Sequence, residues 1–205
     1  MRTYPSLIFS DTTRARLAAL KRRQPRRARA LSKKMTQLAA RPVAECWVEN
    51  SWQEDLATHL LLARTLPDQK IAVVCCELDL GCLGLRETII EPETSREQLR
   101  QWRTSLFSRP VDCFPSLGRK IIEHAVEFAS MAGFEPPADF IPTFAFYSTI
   151  DITRQKAPVV CGVEGKPLLR PREQDDLATL QRKLDAAVGG PPAYTIQLPA
   201  GGEVR

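Results

Sequence analysis

Eight basic side chains lie within fourteen consecutive residues, KRRQPRRARALSKK (21–34), and no acid lies among them. Lys and Arg neutralise phosphates and release counterions, so this density predicts binding to a polyanion that weakens steeply with salt. Arginine outnumbers lysine, and its planar fork suits phosphate pairing. We therefore predict binding to nucleic acid, either RNA or DNA, through Lys21, Arg22, Arg23, Arg26, Arg27, Arg29, Lys33 and Lys34.

The charge of the whole chain is split at the end of this basic segment. Residues 1–41 contain twelve Lys or Arg and one acid, whereas residues 42–205 contain seventeen and twenty-three. Such a split indicates an interaction arm on an acidic body. Two other hypotheses are that the arm docks on the acidic body or a protein partner, or that it binds an anionic membrane. The membrane hypothesis is disfavoured because the apolar face of the arm lacks Trp and Phe.

Three carboxylates at the end of the most apolar segment could form a metal site. Glu77 and Asp79 are two residues apart, so on a strand they point to one face, and Glu87 could join them from the next strand. Such clusters hold Mg²⁺ in nucleases, and the ribonuclease H-like fold places an aspartate in this way. We favour the structural alternative, in which Asp79 accepts backbone N–H bonds in the turn at Gly81 and Glu77 pairs with Arg86.

The cysteines and histidines form no metal motif. With no Cys-x-x-Cys pair and two histidines, structural zinc is not expected, and the six cysteines are predicted to be reduced thiols. Cys75 and Cys76 are predicted to pack as small apolar groups. His124 is predicted to be half-buried and hydrogen-bonded, and a nucleophilic Cys82 would need it as a base. We predict no cofactor, with Mg²⁺ required only if the carboxylates are catalytic.

A helical arm must carry the basic segment. We predict one helix over 11–23, a break at Pro25 and a second helix over 26–40. In the second helix the apolar residues fall on one face, at Ala28, Leu31, Met35 and Leu38. The basic residues lie largely off that stripe. The apolar stripe indicates that the helix docks on the body and is more than a loose tail.

The body is predicted to be α+β, with an antiparallel β meander packed by several helices. Its strands are expected at 43–52, 56–66, 70–80 and 83–90, the third of them buried on both faces. Helices are expected at 95–107, 116–132 and 173–188. A hairpin is expected at 159–169 and a last strand at 193–198. The proline-rich segment 134–148 is predicted to be extended.

Three segments carry motifs that resemble an uncharacterised bacterial protein family. They are Asp79-x-x-Cys82-Leu83-Gly84, Gly133-Phe134-x-Pro136 and Gly165-Lys166-Pro167. The resemblance would cover about residues 43–185 and so excludes the basic arm. It implies a shared fold and offers no mechanism, because no activity is established for the family.

Together these patterns predict a basic helical arm (1–41), an α+β body (42–190) and a C-terminal strand with a frayed tail (191–205). No stretch has the ~18–20 apolar residues of a membrane span, so a cytoplasmic protein without membrane contact is expected. We predict a non-catalytic nucleic-acid-binding accessory subunit of a larger bacterial assembly, with a protein partner. The alternatives are a metal-dependent nuclease and a protein adaptor that docks through its arm.

Overall fold

The computed structural model describes the backbone of residues 26–198 and the side chains of residues 29–198. The helix predicted over 11–23 and the tail after Pro199 lie outside the described residues. The second helix of the arm is confirmed as α1 (Arg26–Ala39). The predicted α+β class is also confirmed, since a five-stranded antiparallel sheet is packed by helices.

The main sheet contains the predicted antiparallel meander and one further strand. Its strands are β1 (Val43–Glu49), β2 (Ala57–Thr65), β3 (Ile71–Asp79), β4 (Gly84–Thr94) and β5 (Pro110–Asp112). The strand order is β4-β3-β2-β1-β5, and every neighbouring pair is antiparallel. Asp68 and Gln69, both at φ 59°, make the tight turn that brings β3 back along β2.

The interior strands are buried on both faces, as predicted for the third strand. On β3, Val74 and Cys76 point into a large core on one face, whereas Val73 and Cys75 point into a smaller core on the other. Strand β2 alternates in the same way. This two-sided burial explains why the sequence of β3 is apolar from Ile71 to Cys76 without alternation.

Helices cover both faces of the sheet. Beside α1 they are α2 (Arg96–Leu106), α3 (Pro115–Met131), α4 (Phe140–Tyr147) and α5 (Leu177–Val188). Helices α1, α3 and α4 pack on the large core, whose buried members include Met35, Ile121 and Phe146. Helix α2 covers the opposite face through Leu99 and Trp102. The sheet therefore lies between two helical layers.

A third apolar cluster joins the C-terminal elements to the end of α3. Strands β6 (Leu168–Leu169) and β7 (Thr195–Ile196) pair in parallel. They pack with α5 on Ala129 and Phe134. The last strand is thus confirmed, although it is shorter than predicted. The predicted hairpin at 159–169 is reduced to one antiparallel bridge, Val163 to Lys166.

The prediction of an extended segment over 134–148 is wrong, because α4 occupies residues 140–147. Pro142 does not prevent the helix, since it lies in the first turn, where the backbone N–H groups have no partner within the helix. The residues around Pro142 are almost all buried apolar groups. Burial therefore stabilises a segment whose local sequence favours no helix.

Helix α5 starts later than predicted. It begins at Leu177 and not at 173, because the Asp176 side chain accepts from the Thr179 N–H and caps it. Helix α2 begins at Arg96 and is capped by Ser95, whose side chain accepts from the Gln98 N–H.

Candidate nucleic-acid interface

Helix α1 is fixed to the body by its apolar stripe. Met35 is completely buried and Ala39 is 1% exposed, while Leu31 and Leu38 are half-buried against the large core. The helix lies mainly against α4. Its orientation is therefore set by packing, as the spacing of its apolar residues predicted.

Hydrogen bonds hold the end of α1 that points toward β1. The Arg64 guanidinium on β2 donates to the Arg41 carbonyl, and the Thr149 hydroxyl donates to the Ala39 carbonyl at 2.6 Å. The last carbonyls of a helix have no partner within it, so these donors satisfy groups that would otherwise be left unpaired. Packing and hydrogen bonds together fix the position of α1 on the body, and so the direction in which its outer face points.

The outer face of α1 carries the described part of the predicted basic cluster. Arg29, Lys33 and Lys34 are exposed, and we call these three residues the basic face. Arg26 and Arg27 begin the same helix, and only their backbone is described. Lys21, Arg22 and Arg23 lie outside the described residues.

One acidic side chain lies beside the basic face. The hydrogen bond from Lys70 lowers the pKa of Glu93 below its usual value, and the nearby charge of Lys34 adds to this effect. Neither Lys33 nor Lys34 forms a hydrogen bond or ion pair with another residue in the described part of the chain. Both ammonium groups are therefore open to solvent and to an external anion.

The three candidate carboxylates are bound by groups of the protein itself. Glu77 and Glu87 face each other on β3 and β4, and the Arg172 guanidinium bridges them, with 3.3 Å to Glu87. Asp79 instead accepts the backbone N–H groups of Cys82 at 2.8 Å and Leu83 at 3.2 Å. The turn role predicted for Asp79 is thus confirmed.

The predicted pair of Glu77 with Arg86 is wrong. Arg86 binds Asp175 at 2.8 Å, from the segment before α5. Arg86 and Glu77 lie on neighbouring strands, but the Glu77 carboxylate is bound by Arg172, which lies in the segment before α5. Among residues 29–198 no group of three or more His, Cys, Asp or Glu side chains is placed to hold a metal ion.

The remaining candidates fit structural roles. His124 is half-buried and hydrogen-bonded to the Val159 backbone, as predicted, and burial lowers its pKa. Cys82 is completely buried, and desolvation raises its pKa well above the usual value, so its thiol is a poor nucleophile. His59 lies on β2 with its ring centroid 5.9 Å from that of Phe107.

Sequence reasoning missed two features that the fold creates. One is the set of buried or half-buried arginines that bridge elements, such as Arg64 and Arg172. The other is a contact between Cys46 on β1 and Cys113, the residue directly after its partner strand β5. No local pattern could reveal either feature, since the partners are distant in the chain.

Comparison with known proteins adds no match: no protein-family model, curated protein or solved structure is similar to this chain. Across residues 26–198 no helix combines the length and the apolar character needed to cross a membrane. The structure therefore defines an α+β protein with exposed basic residues on one helix.

Proposed function

We propose that the protein binds nucleic acid through the basic cluster, with phosphates contacting the outer face of α1. The observation that carries the proposal is that α1 is docked by its apolar stripe while Lys33 and Lys34 remain exposed and without an ion pair among the described residues. An arm that neutralised the acidic body would direct its cations inward. Here the side chains that face inward are apolar.

Contact with phosphates follows from the helical spacing. Arg29 and Lys33 are four residues apart and share one side of the helix, and Lys34 follows Lys33 about 100° further round it. Cations on one helical side can follow a phosphodiester backbone. No aromatic residue lies in the cluster, so binding rests on phosphate contacts more than on base stacking. We expect affinity without strong sequence preference for RNA or DNA.

We further propose a non-catalytic accessory role within a larger assembly. The engagement of Glu77 and Glu87 by Arg172, and of Asp79 by backbone N–H groups, supports a structural role for these carboxylates. A basic face that contacts phosphates and not bases supplies affinity but little sequence specificity. A protein partner would then supply the specificity.

The test compares two charge-matched double variants of the full-length protein. Lys33→Gln with Lys34→Gln removes two charges from the basic face. Arg154→Gln with Lys156→Gln removes two exposed charges from a loop elsewhere. Binding to labelled single-stranded RNA and double-stranded DNA is measured by fluorescence anisotropy at low ionic strength. All four substitutions replace exposed side chains, so circular dichroism should show the same fold throughout.

We expect the first variant to bind roughly tenfold more weakly than wild type, because two phosphate contacts and their released counterions are lost. The Arg154/Lys156 variant should bind nearly as well as wild type. Equal losses in the two variants would mean that binding follows net charge alone and would overturn the assignment to α1. Absence of binding by wild type would favour a protein partner for the arm. Deleting residues 1–41 is a poorer test, because it would remove Met35 and Ala39 from the core.

A further inference from the structure

Cys46 and Cys113 lie directly opposite each other on paired antiparallel strands. The register pairs Trp47 with Asp112, and the Cys113 N–H donates to the Cys46 carbonyl at 2.8 Å, so Cys46 and Cys113 form the next pair along. Hydrogen-bonded pairs in antiparallel sheets have Cα atoms about 5.5 Å apart. That separation falls inside the window that a disulfide requires, roughly 4.4–6.8 Å.

The two thiols differ in accessibility. Cys46 is 5% exposed and belongs to the large core, whereas Cys113 is half-buried at the edge of the sheet. Helix α3 covers the inner sulfur: a Cβ added at Gly118 would lie 3.2 Å from Cys46 Sγ. An external reagent therefore meets Cys113 first.

The two thiols also differ in their readiness to ionise. A hydrogen bond from the Cys46 thiol lowers the pKa of Cys113, and the Gly118 N–H in the first turn of α3 acts in the same direction against burial. The same thiol–thiol contact, together with burial, raises the pKa of Cys46. The accessible sulfur is thus the better nucleophile and the buried one keeps its proton.

Both cysteines line one open depression at this edge of the sheet. Glu45, Asp112 and Pro115 also line this depression. The Glu45 carboxylate lies 4.0 Å from the Arg96 guanidinium of α2. The depression therefore gives a small molecule access to the two thiols.

We propose that Cys46 and Cys113 form a redox-active dithiol that undergoes exchange with small disulfides. The Cys113 thiolate attacks one sulfur of the small disulfide, its S–S bond breaks, and the leaving thiolate takes a proton from water. The Cys46 thiol then loses its proton and attacks Cys113 Sγ, releasing the second small thiol. Two protein thiols are oxidised to one disulfide, and one small disulfide is reduced to two thiols.

This proposal is independent of nucleic-acid binding. The probes are cystamine and glutathione disulfide, two small disulfides that differ in charge and size. Each is incubated with the full-length reduced protein at neutral pH. Intact mass and peptide mapping then identify the product. The variants are Cys46→Ala, Cys113→Ala and, as a matched control, Cys161→Ala, which replaces another half-buried cysteine whose pKa burial raises to about 12.

Wild type and Cys161→Ala should lose two hydrogen atoms and yield a mapped Cys46–Cys113 disulfide. Cys46→Ala should stop at a stable mixed disulfide on Cys113, and Cys113→Ala should stay unmodified. Failure of wild type to form the Cys46–Cys113 disulfide with either probe would overturn the proposal without any variant having to fold. First modification at Cys161 would contradict the assigned order of reaction.

Discussion

Arg64 shows how one buried side chain joins three elements. It extends from β2 and is 3% exposed, and it donates to the carbonyls of Arg41 after α1 and Phe146 in α4. It also donates to the Thr149 hydroxyl at 3.2 Å. Its guanidinium carbon lies 5.2 Å from the centroid of the Phe146 ring. A guanidinium can satisfy several helix-end carbonyls at once because its donors form a fixed fork.

We therefore expect Arg64→Met to lower the free energy of unfolding by about 3 kcal/mol, since it leaves buried carbonyl oxygens without donors. Urea denaturation measures the change. Arg100→Met is the control, because that exposed ion pair with Glu97 contributes at most about 1 kcal/mol. Equal stability of the two variants would show that Arg64 does not hold α1 and α4 in place.

Two opposite effects act on the Asp79 carboxylate: its hydrogen bonds stabilise the charged form, and its burial destabilises it. Its carboxylate accepts two backbone N–H bonds in the turn between β3 and β4. Burial nevertheless raises the pKa of Asp79 above its usual value, even though those bonds and the charges of Arg170 and Arg86 oppose the rise. A group whose pKa is higher in the folded than in the unfolded state loses stability as pH rises between the two values.

Asp79→Asn should keep the acceptor oxygen and remove the buried charge, so we expect it to unfold at equal or higher urea than wild type at pH 7. Its advantage should shrink as pH falls from the raised folded-state pKa toward about 4, and should be lost below that pH, where the carboxyl is protonated in both states. Asp79→Ala should cost about 1–2 kcal/mol, since both N–H groups lose their acceptor. Urea curves at pH 7 and pH 3.5 measure these differences. A loss of stability in Asp79→Asn that matches the loss in Asp79→Ala would contradict the account.

At the scale of elements, α1 belongs to the folded body through a few apolar contacts. Met35→Ala should lower the free energy of unfolding by about 3 kcal/mol, because it removes a completely buried side chain from the large core. Gln37→Ala, an exposed position on the same helix, should change it by less than about 0.5 kcal/mol. Urea denaturation distinguishes them. Similar midpoints would mean that α1 is not docked in solution.

The elements that could be predicted from the sequence are those whose own residues specify them. Strands β2 and β3 are apolar runs bounded by turns, and α1 has a clear helical stripe. Helix α4 could not be predicted, because it lies in a proline-rich segment without a local helical pattern and is stabilised by burial in the large core. Strand β5 has three residues and begins with Pro110, so no strand pattern exists; it forms because β1 offers an edge.

The candidate site was partly predictable for the same reason. Exposure of Lys33 and Lys34 follows directly from their position off the apolar stripe of α1. The partner of Glu77 did not follow, because Arg172 is 95 residues away and only the segment before α5 brings it to β3. Likewise the pairing of Cys46 with Cys113 depends on β5, a strand that no pattern in the sequence predicts. Pairings across the fold require the fold to be known.

At the scale of the whole molecule, the charge is divided between a basic arm and an acidic body. The acids of the described body are often engaged by its own arginines, as in the Arg86–Asp175 and Arg172–Glu77 pairs. Lys33 and Lys34, which are exposed on α1, form no ion pair among the described residues. The described part of α1 therefore presents exposed cations beside a body that has more acids than basic residues.

The dependence of nucleic-acid affinity on salt tests this account most directly. If the basic cluster makes about four to six phosphate contacts, the plot of log K for association with single-stranded RNA against log salt concentration should have a slope of roughly −3 to −4. The Lys33→Gln/Lys34→Gln variant should make that slope shallower by about 1.4, whereas the Arg154→Gln/Lys156→Gln variant should leave it unchanged. A flat plot, or no binding by the wild-type protein at low ionic strength, would contradict the account.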